Sequence, residues 1–303
     1  MTSLADVVAV GATFSWNPLT DWQLLTSQAF MRNALLAGTI AAVVGAVVGH
    51  FVVLRGLTFA ADGLTHVGFA GASGAVLVGV TPVAGLLALT MGAAVGIAAL
   101  EQRLRGRDVV IGMILIGALG LGVLFLSLSS GYSNQAYALL FGDILALGTR
   151  ELLVLGGAGV IALVAVGVLY RPLLLATLDP EVAESRGVRV RALGTAFLLI
   201  VALAATAATQ VIGALLAVAL IVGPAASAQQ LTQRPARVVT IAVVLGVVIV
   251  WTGLALGYWL PFPVSFFITA LVGLAYGVTR AVADMRERRS TRSPGAATRT
   301  VAA

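Results

Sequence analysis

The chain has 303 residues, 60% hydrophobic and 10% charged, with a mean hydropathy of +1.06. A soluble domain is about a quarter charged, so a water-soluble globule is excluded and a polytopic membrane protein remains. The net charge of +6 comes from 18 Arg with no Lys, set between apolar runs. There they read as cytoplasmic anchors rather than nucleic-acid contacts, and no nucleic-acid partner is expected. The absence of cysteine rules out disulfides and thiolate ligands.

In chain order, residues 1–29 show no basic stretch before the first apolar run and no early cleavage site, so no removed signal peptide is expected. "LTDWQLL" at 19–25 mixes Trp22 and leucines with Asp21 and Gln23, which suits a short interfacial helix. Residues 30–54 form one apolar run, enough for one span of roughly 20 residues. The run 63–100 holds no Asp, Glu, Lys or Arg and is long enough for two spans, turning at "VTPVAG", where Pro82 breaks the helix. Residues 109–130 make another. Asp143, in "LFGDILALG", lies between spans, where it either caps a short helix or faces a docking partner. Residues 152–170 make one span and 192–233 two, divided near 210–213. Residues 238–279 make two more, divided at "YWLPFPV", where Pro261 and Pro263 stop a helix and Tyr258 and Trp259 suit an interface. That arrangement has nine spans, or eight if one is short or re-entrant. The membrane domain covers 30–284, and the polar tail 285–303 is expected to be disordered.

Arg decides orientation. With Arg55, the 103–107 loop, the 171–191 loop, Arg234, Arg237 and the tail in the cytoplasm, that side holds 16 of the 18 Arg. The other keeps Arg32 and Arg150. Nine spans then put the N-terminus outside and the C-terminus inside. Small-residue stretches such as "GFAGASGAVLVG" read as close helix packing.

Three polar features stand out against this background. Asp62 and His66 are four residues apart, so on a helix they share a face. An ionisable group in lipid costs at least ~2.5 kcal/mol and is kept when it faces a cavity or partner. A carboxylate beside an imidazole suits divalent zinc, manganese or iron. Alternatively, Asp62 caps the helix at the membrane surface and His66 bonds a carbonyl. His50, the only other histidine, lies near the cytoplasmic end of the first span and is either structural or a further ligand. Finally, "LDPEVAESRGVRVRAL" at 178–193 is the most charged internal segment. Asp179-Pro180 begins a short helix and Gly187 ends it. It is a lever for a separate motor or an ordinary solvated loop. No Walker glycine loop, zinc-protease HExxH or serine nucleophile elbow is present, so the chain is not expected to be an enzyme.

Four stretches, "FVVLRGLTFAADGLTHVGFAG", "LLFGDILAL", "LDPEVAESRGVRV" and "QVIGALLAVALIVGPAASAQQL", occur in an order and spacing that resembles the permease subunits of ABC importers for zinc, manganese or iron, the ABC-3 family of the ZnuB/MntB type. The likeness covers roughly 30–280. It implies an all-α type II importer fold, similar to the vitamin B12 permease, acting as a homodimer in the cell membrane. Two cytoplasmic ATPase subunits would use ATP and bind the loop, with Asp179, Pro180, Glu181, Ala183 and Gly187 matching the coupling helix. An extracytoplasmic binding protein would deliver Zn2+ or Mn2+. Asp62 and His66 fall on the family's Asp-x-x-x-His channel motif and become metal ligands by resemblance, while His50 departs from the small or apolar residue usual there. Two copies meeting at a two-fold axis would supply two Asp and two His, a set that suits tetrahedral zinc or a hydrated manganese. The competing readings are a proton-coupled secondary transporter, and a siderophore or cobalamin permease, whose Arg-x-Pro-Arg and Asn-Pro-Leu stretches are absent.

Overall fold

The computed structural model describes residues 28–101, 107–129, 132–142 and 144–291. The interfacial helix expected at 19–25, Asp143 and the tail beyond 291 lie outside them. The regular structure of the described residues is helical: α1 (Ala29–Leu54), α2 (Thr58–Val78), α3 (Pro82–Glu101), α4 (Arg107–Ser127), α5 (Tyr132–Phe141), a 3-10 turn (Ile144–Ala146), α6 (Thr149–Leu178), α7 (Pro180–Ser185), α8 (Val190–Ile212), α9 (Ala217–Leu231), α10 (Pro235–Trp259) and α11 (Val264–Thr291).

Seven of these are long and apolar enough to cross a membrane: α1, α3, α4, α6, α8, α10 and α11. Two further helices fall on runs that the sequence reads as spans but do not meet that measure. α2 has 21 residues but carries Asp62 and His66. α9 has only 15, about 23 Å, less than the roughly 30 Å of hydrocarbon.

The remainder of that crossing is non-helical, at 213–216. Backbone out of helix in lipid must find partners. The N–H groups of Ala214 and Leu215 donate to the carbonyls of Leu139 and Leu140 at the end of α5, at 3.1 and 3.2 Å. The contact needs two glycines. Gly142 (φ 78°) and Gly213 (φ 81°) both have left-handed backbones, and a Cβ on either would strike the other strand of chain.

Prolines start helices where the sequence places them. Pro82, Pro180 and Pro235 open α3, α7 and α10, and Pro261 and Pro263 separate α10 from α11. Two ends differ from expectation. α6 does not stop near Tyr170 but passes through Pro172 to Leu178, 30 residues in all. α11 continues past Met285 to Thr291, so the first residues of the segment read as a disordered tail are helical.

Small residues organise the interior. α1 lies at the centre, among α6, α8, α9 and α10. Its "GAVVG" motif sets Gly45 and Gly49 directly on the backbone of Leu220 and Ile221 in α9. α2 is clasped between α3 and α4 with α8 behind it. Gly71 lies on the Gly85 backbone of α3, and a Cβ on Gly74 would stand 3.1 Å from the Phe125 ring of α4. The outer helices turn large apolar side chains outward. Val109, Met113 and Ile116 of α4 and Leu153, Val160, Val164 and Val168 of α6 are well exposed, as a lipid-facing stripe requires.

Candidate metal centre

α1 ends at Leu54 and turns through Gly56 (φ 64°), whose left-handed backbone lets Leu57 N–H return to the Val52 carbonyl at 2.8 Å. Leu57 is buried, and α2 begins at Thr58. Asp62 therefore lies inside the helix, past its first turn, and the helix has Leu57 at its N-cap with no side-chain cap bond. The surface-cap alternative for Asp62 is not what this backbone presents.

Asp62 and His66 do share a face. Asp62 Oδ1 and His66 Nε2 are 3.7 Å apart, with side chains 30% and 11% exposed. That separation is too long for a direct hydrogen bond, so both donor atoms remain available to a third body. A single cation about 2.0–2.2 Å from each atom would fit between them. His66 Nδ1 is buried and makes no hydrogen bond. The Thr65 hydroxyl donates to the Asp62 carbonyl at 2.8 Å, leaving the carboxylate unencumbered. Among the described residues no group of three or more His, Asp or Glu could hold a metal ion. One chain thus offers two ligands, where zinc takes four.

The structure does not bring His50 into this pair. His50 is almost fully buried (2% exposed) at the inner end of α1. Its Nδ1 lies 3.3 Å from Gln229 Nε2 of α9, and the same amide donates to the His50 carbonyl at 3.1 Å. Sequence reasoning missed Gln229. The only signal was a polar "QQ" closing an otherwise apolar run.

The charged loop forms the short helix expected of it. Asp179 Oδ1 accepts from Val182 N–H at 3.0 Å, and Pro180 occupies the first turn. Gly187 (φ 81°) closes the helix, its N–H donating to the Glu184 carbonyl at 2.9 Å. Ala183 is fully buried while Glu181 and Arg186 are exposed, so α7 is anchored on one side and open on the other. Two cavities, about 520 and 780 Å³, open at the opposite end of the bundle around the α10–α11 turn. Their described walls are mainly aromatic and aliphatic, from Tyr137, Phe141, Phe262 and Phe266, and among the described residues hold no carboxylate or imidazole.

Residues 27–282 match the ABC 3 transport family. The chain belongs to that family. Among curated relatives, this ABC-3 chain is 30% identical over 225 residues to the manganese transport system membrane protein MntC of Halalkalibacterium halodurans, covering 74% of this chain and 77% of that one. It is 28% identical over 224 residues to the high-affinity zinc uptake system membrane protein ZnuB of Haemophilus influenzae, covering 74% and 86%. Among solved structures, PsaBC from Streptococcus pneumoniae superposes with a TM-score of 0.78 at 22% identity, over 86% of this chain and 94% of that one. The ABC-3 chain therefore has the all-α permease fold expected for it, and is a multi-pass membrane protein.

Proposed function

We propose that the chain is the membrane-spanning permease subunit of an ATP-driven importer of divalent transition-metal ions, with zinc and manganese the leading cargoes. The observation that carries this is the Asp62–His66 donor pair, 3.7 Å apart on a helix packed between α3 and α4, in a chain whose relatives are named for manganese and zinc transport. Two copies pair so that both donor sets reach one ion, giving two carboxylates and two imidazoles. The carboxylates offset the charge of the dication, and the imidazoles supply the nitrogen ligands. Transport requires that this binding stay weak enough for release. α7 receives the motion of a cytoplasmic ATPase through Asp179, Pro180, Glu181, Ala183 and Gly187, and an extracytoplasmic binding protein delivers the ion.

The test is uptake of radioactive zinc or manganese into vesicles holding the permease, its ATPase and its binding protein. Asp62→Asn keeps size and removes charge; His66→Ala removes the nitrogen. Each should reduce ATP-dependent uptake to near background while expression and ATPase association persist. Wild-type uptake in both variants would sink the ligand assignment. Uptake that needs no ATPase would point instead to a proton-coupled carrier using the same pair.

A further inference from the structure

We propose that Arg55 and Phe197 form the contact that links the coupling helix to the ion site, a role that rests on the permease reading above. Arg55 is the first residue after α1, at the corner leading into α2, and lies seven residues before Asp62. Its guanidinium carbon stands 5.3 Å from the centroid of the Phe197 ring. Phe197 is fully buried two turns into α8, the helix that follows α7. The cation thus covers the face of a ring that no water reaches, the setting in which a cation–π contact is strongest.

α1 and α2 hardly pack on one another, so the 55–57 corner is their principal connection. α8, by contrast, packs against both α1 and α2. Phe51 reinforces the junction, standing edge-on to Phe197 at 6.1 Å and to Tyr170 of α6 at 5.5 Å. α6 and α8 are the two helices that α7 joins. A displacement of α7 therefore reaches Phe51 and Phe197 from both sides. Arg55 passes it through the Gly56 turn, which nothing crowds, and so to the helix bearing Asp62 and His66. Arg55 is a positioning residue here and does not touch the ion.

The experiment measures ions imported per ATP hydrolysed, in vesicles holding the complete transporter. Arg55→Met keeps the aliphatic stem and loses the cation; Phe197→Leu keeps the bulk and loses the ring face. Each should lower the ratio roughly fivefold, the scale of a partly desolvated cation–π contact, and the double variant should be no worse than either single one. Arg55→Lys and Phe197→Tyr, which retain cation and ring, should restore most of it. Equilibrium binding of radioactive zinc or manganese to the purified permease should stay at the wild-type level in all four. Wild-type ratios in both Arg55→Met and Phe197→Leu, or fully additive losses, would overturn the link. Absence of ATP-dependent uptake in the wild-type complex would instead remove the permease reading, and this inference with it.

Discussion

His50 and Gln229 show how a single polar residue is explained once its neighbour is known. Gln229 Nε2 faces His50 Nδ1 at 3.3 Å and donates to the His50 carbonyl at 3.1 Å. Nε2 is buried and makes no hydrogen bond, so Gln229 holds the ring through one nitrogen, and we propose that this anchoring is structural. His50→Ala should leave ion uptake within about twofold of wild type. It should lower the thermal stability of the detergent-solubilised protein by about 1–3 kcal/mol, the scale for stranding a buried polar partner. Gln229→Ala should do the same. Melting curves of the two singles and the double would check it, because the double should cost less than the sum. Asp62 and His66 differ from His50 in that neither donor atom of the pair is taken by a protein hydrogen bond.

At the scale of elements, helices apolar on every side cannot be oriented by a polar face. What orients α1 is where the chain has no side chain. A Cβ at Gly49 would run into the Ile221 carbonyl of α9, which is backbone and cannot step aside. Gly49→Ala should therefore force α1 and α9 apart, destabilising the bundle by about 1–3 kcal/mol. Gly92→Ala, on α3 with open space around it, should be neutral or slightly stabilising. Thermal melts followed by size-exclusion chromatography would distinguish them, and equal melting temperatures would refute the close-approach account. The same logic holds for α2, whose Gly71 and Gly74 let α3 and α4 approach it closely.

For the whole molecule, contacts assign the helix ends to two sides. The Arg55–Phe197 and His50–Gln229 contacts gather the end of α1, the root of α8 and the end of α9 at one pole. Asn33 Nδ2, donating to the Leu147 carbonyl at 3.4 Å, places the start of α1 with the start of α6 at the other. Among the described residues, Arg55, Arg186, Arg189, Arg191, Arg234 and Arg237 lie at helix ends of the first pole, as the charge bias requires. The absence of cysteine makes this testable. A single cysteine at Glu184, exposed on α7, should react with a membrane-impermeant maleimide only from the cytoplasm, and one at Phe262, exposed in the α10–α11 turn, only from outside. Labelling of Glu184→Cys in intact cells would reverse the topology.

Composition by itself determined a membrane class, because the cost of charge in lipid is read directly from residue type, and Arg placement set an expected side for each loop. The Asp62–His66 face and the α7 cap were equally legible, since both depend on spacing within one helix. The sequence could not show that α9 is short, because its break at 213–216 is stabilised by carbonyls of α5, more than 70 residues earlier in the chain. Nor could it show α6 running on through Pro172, because a proline reads as a stop unless packing holds the helix past it. Tertiary structure alone decided which residues meet across helices: Gln229 with His50, Arg55 with Phe197, Gly49 with Ile221. In a chain this uniformly apolar, side-chain chemistry hardly distinguishes one partner from another, and shape at the point of contact makes the choice.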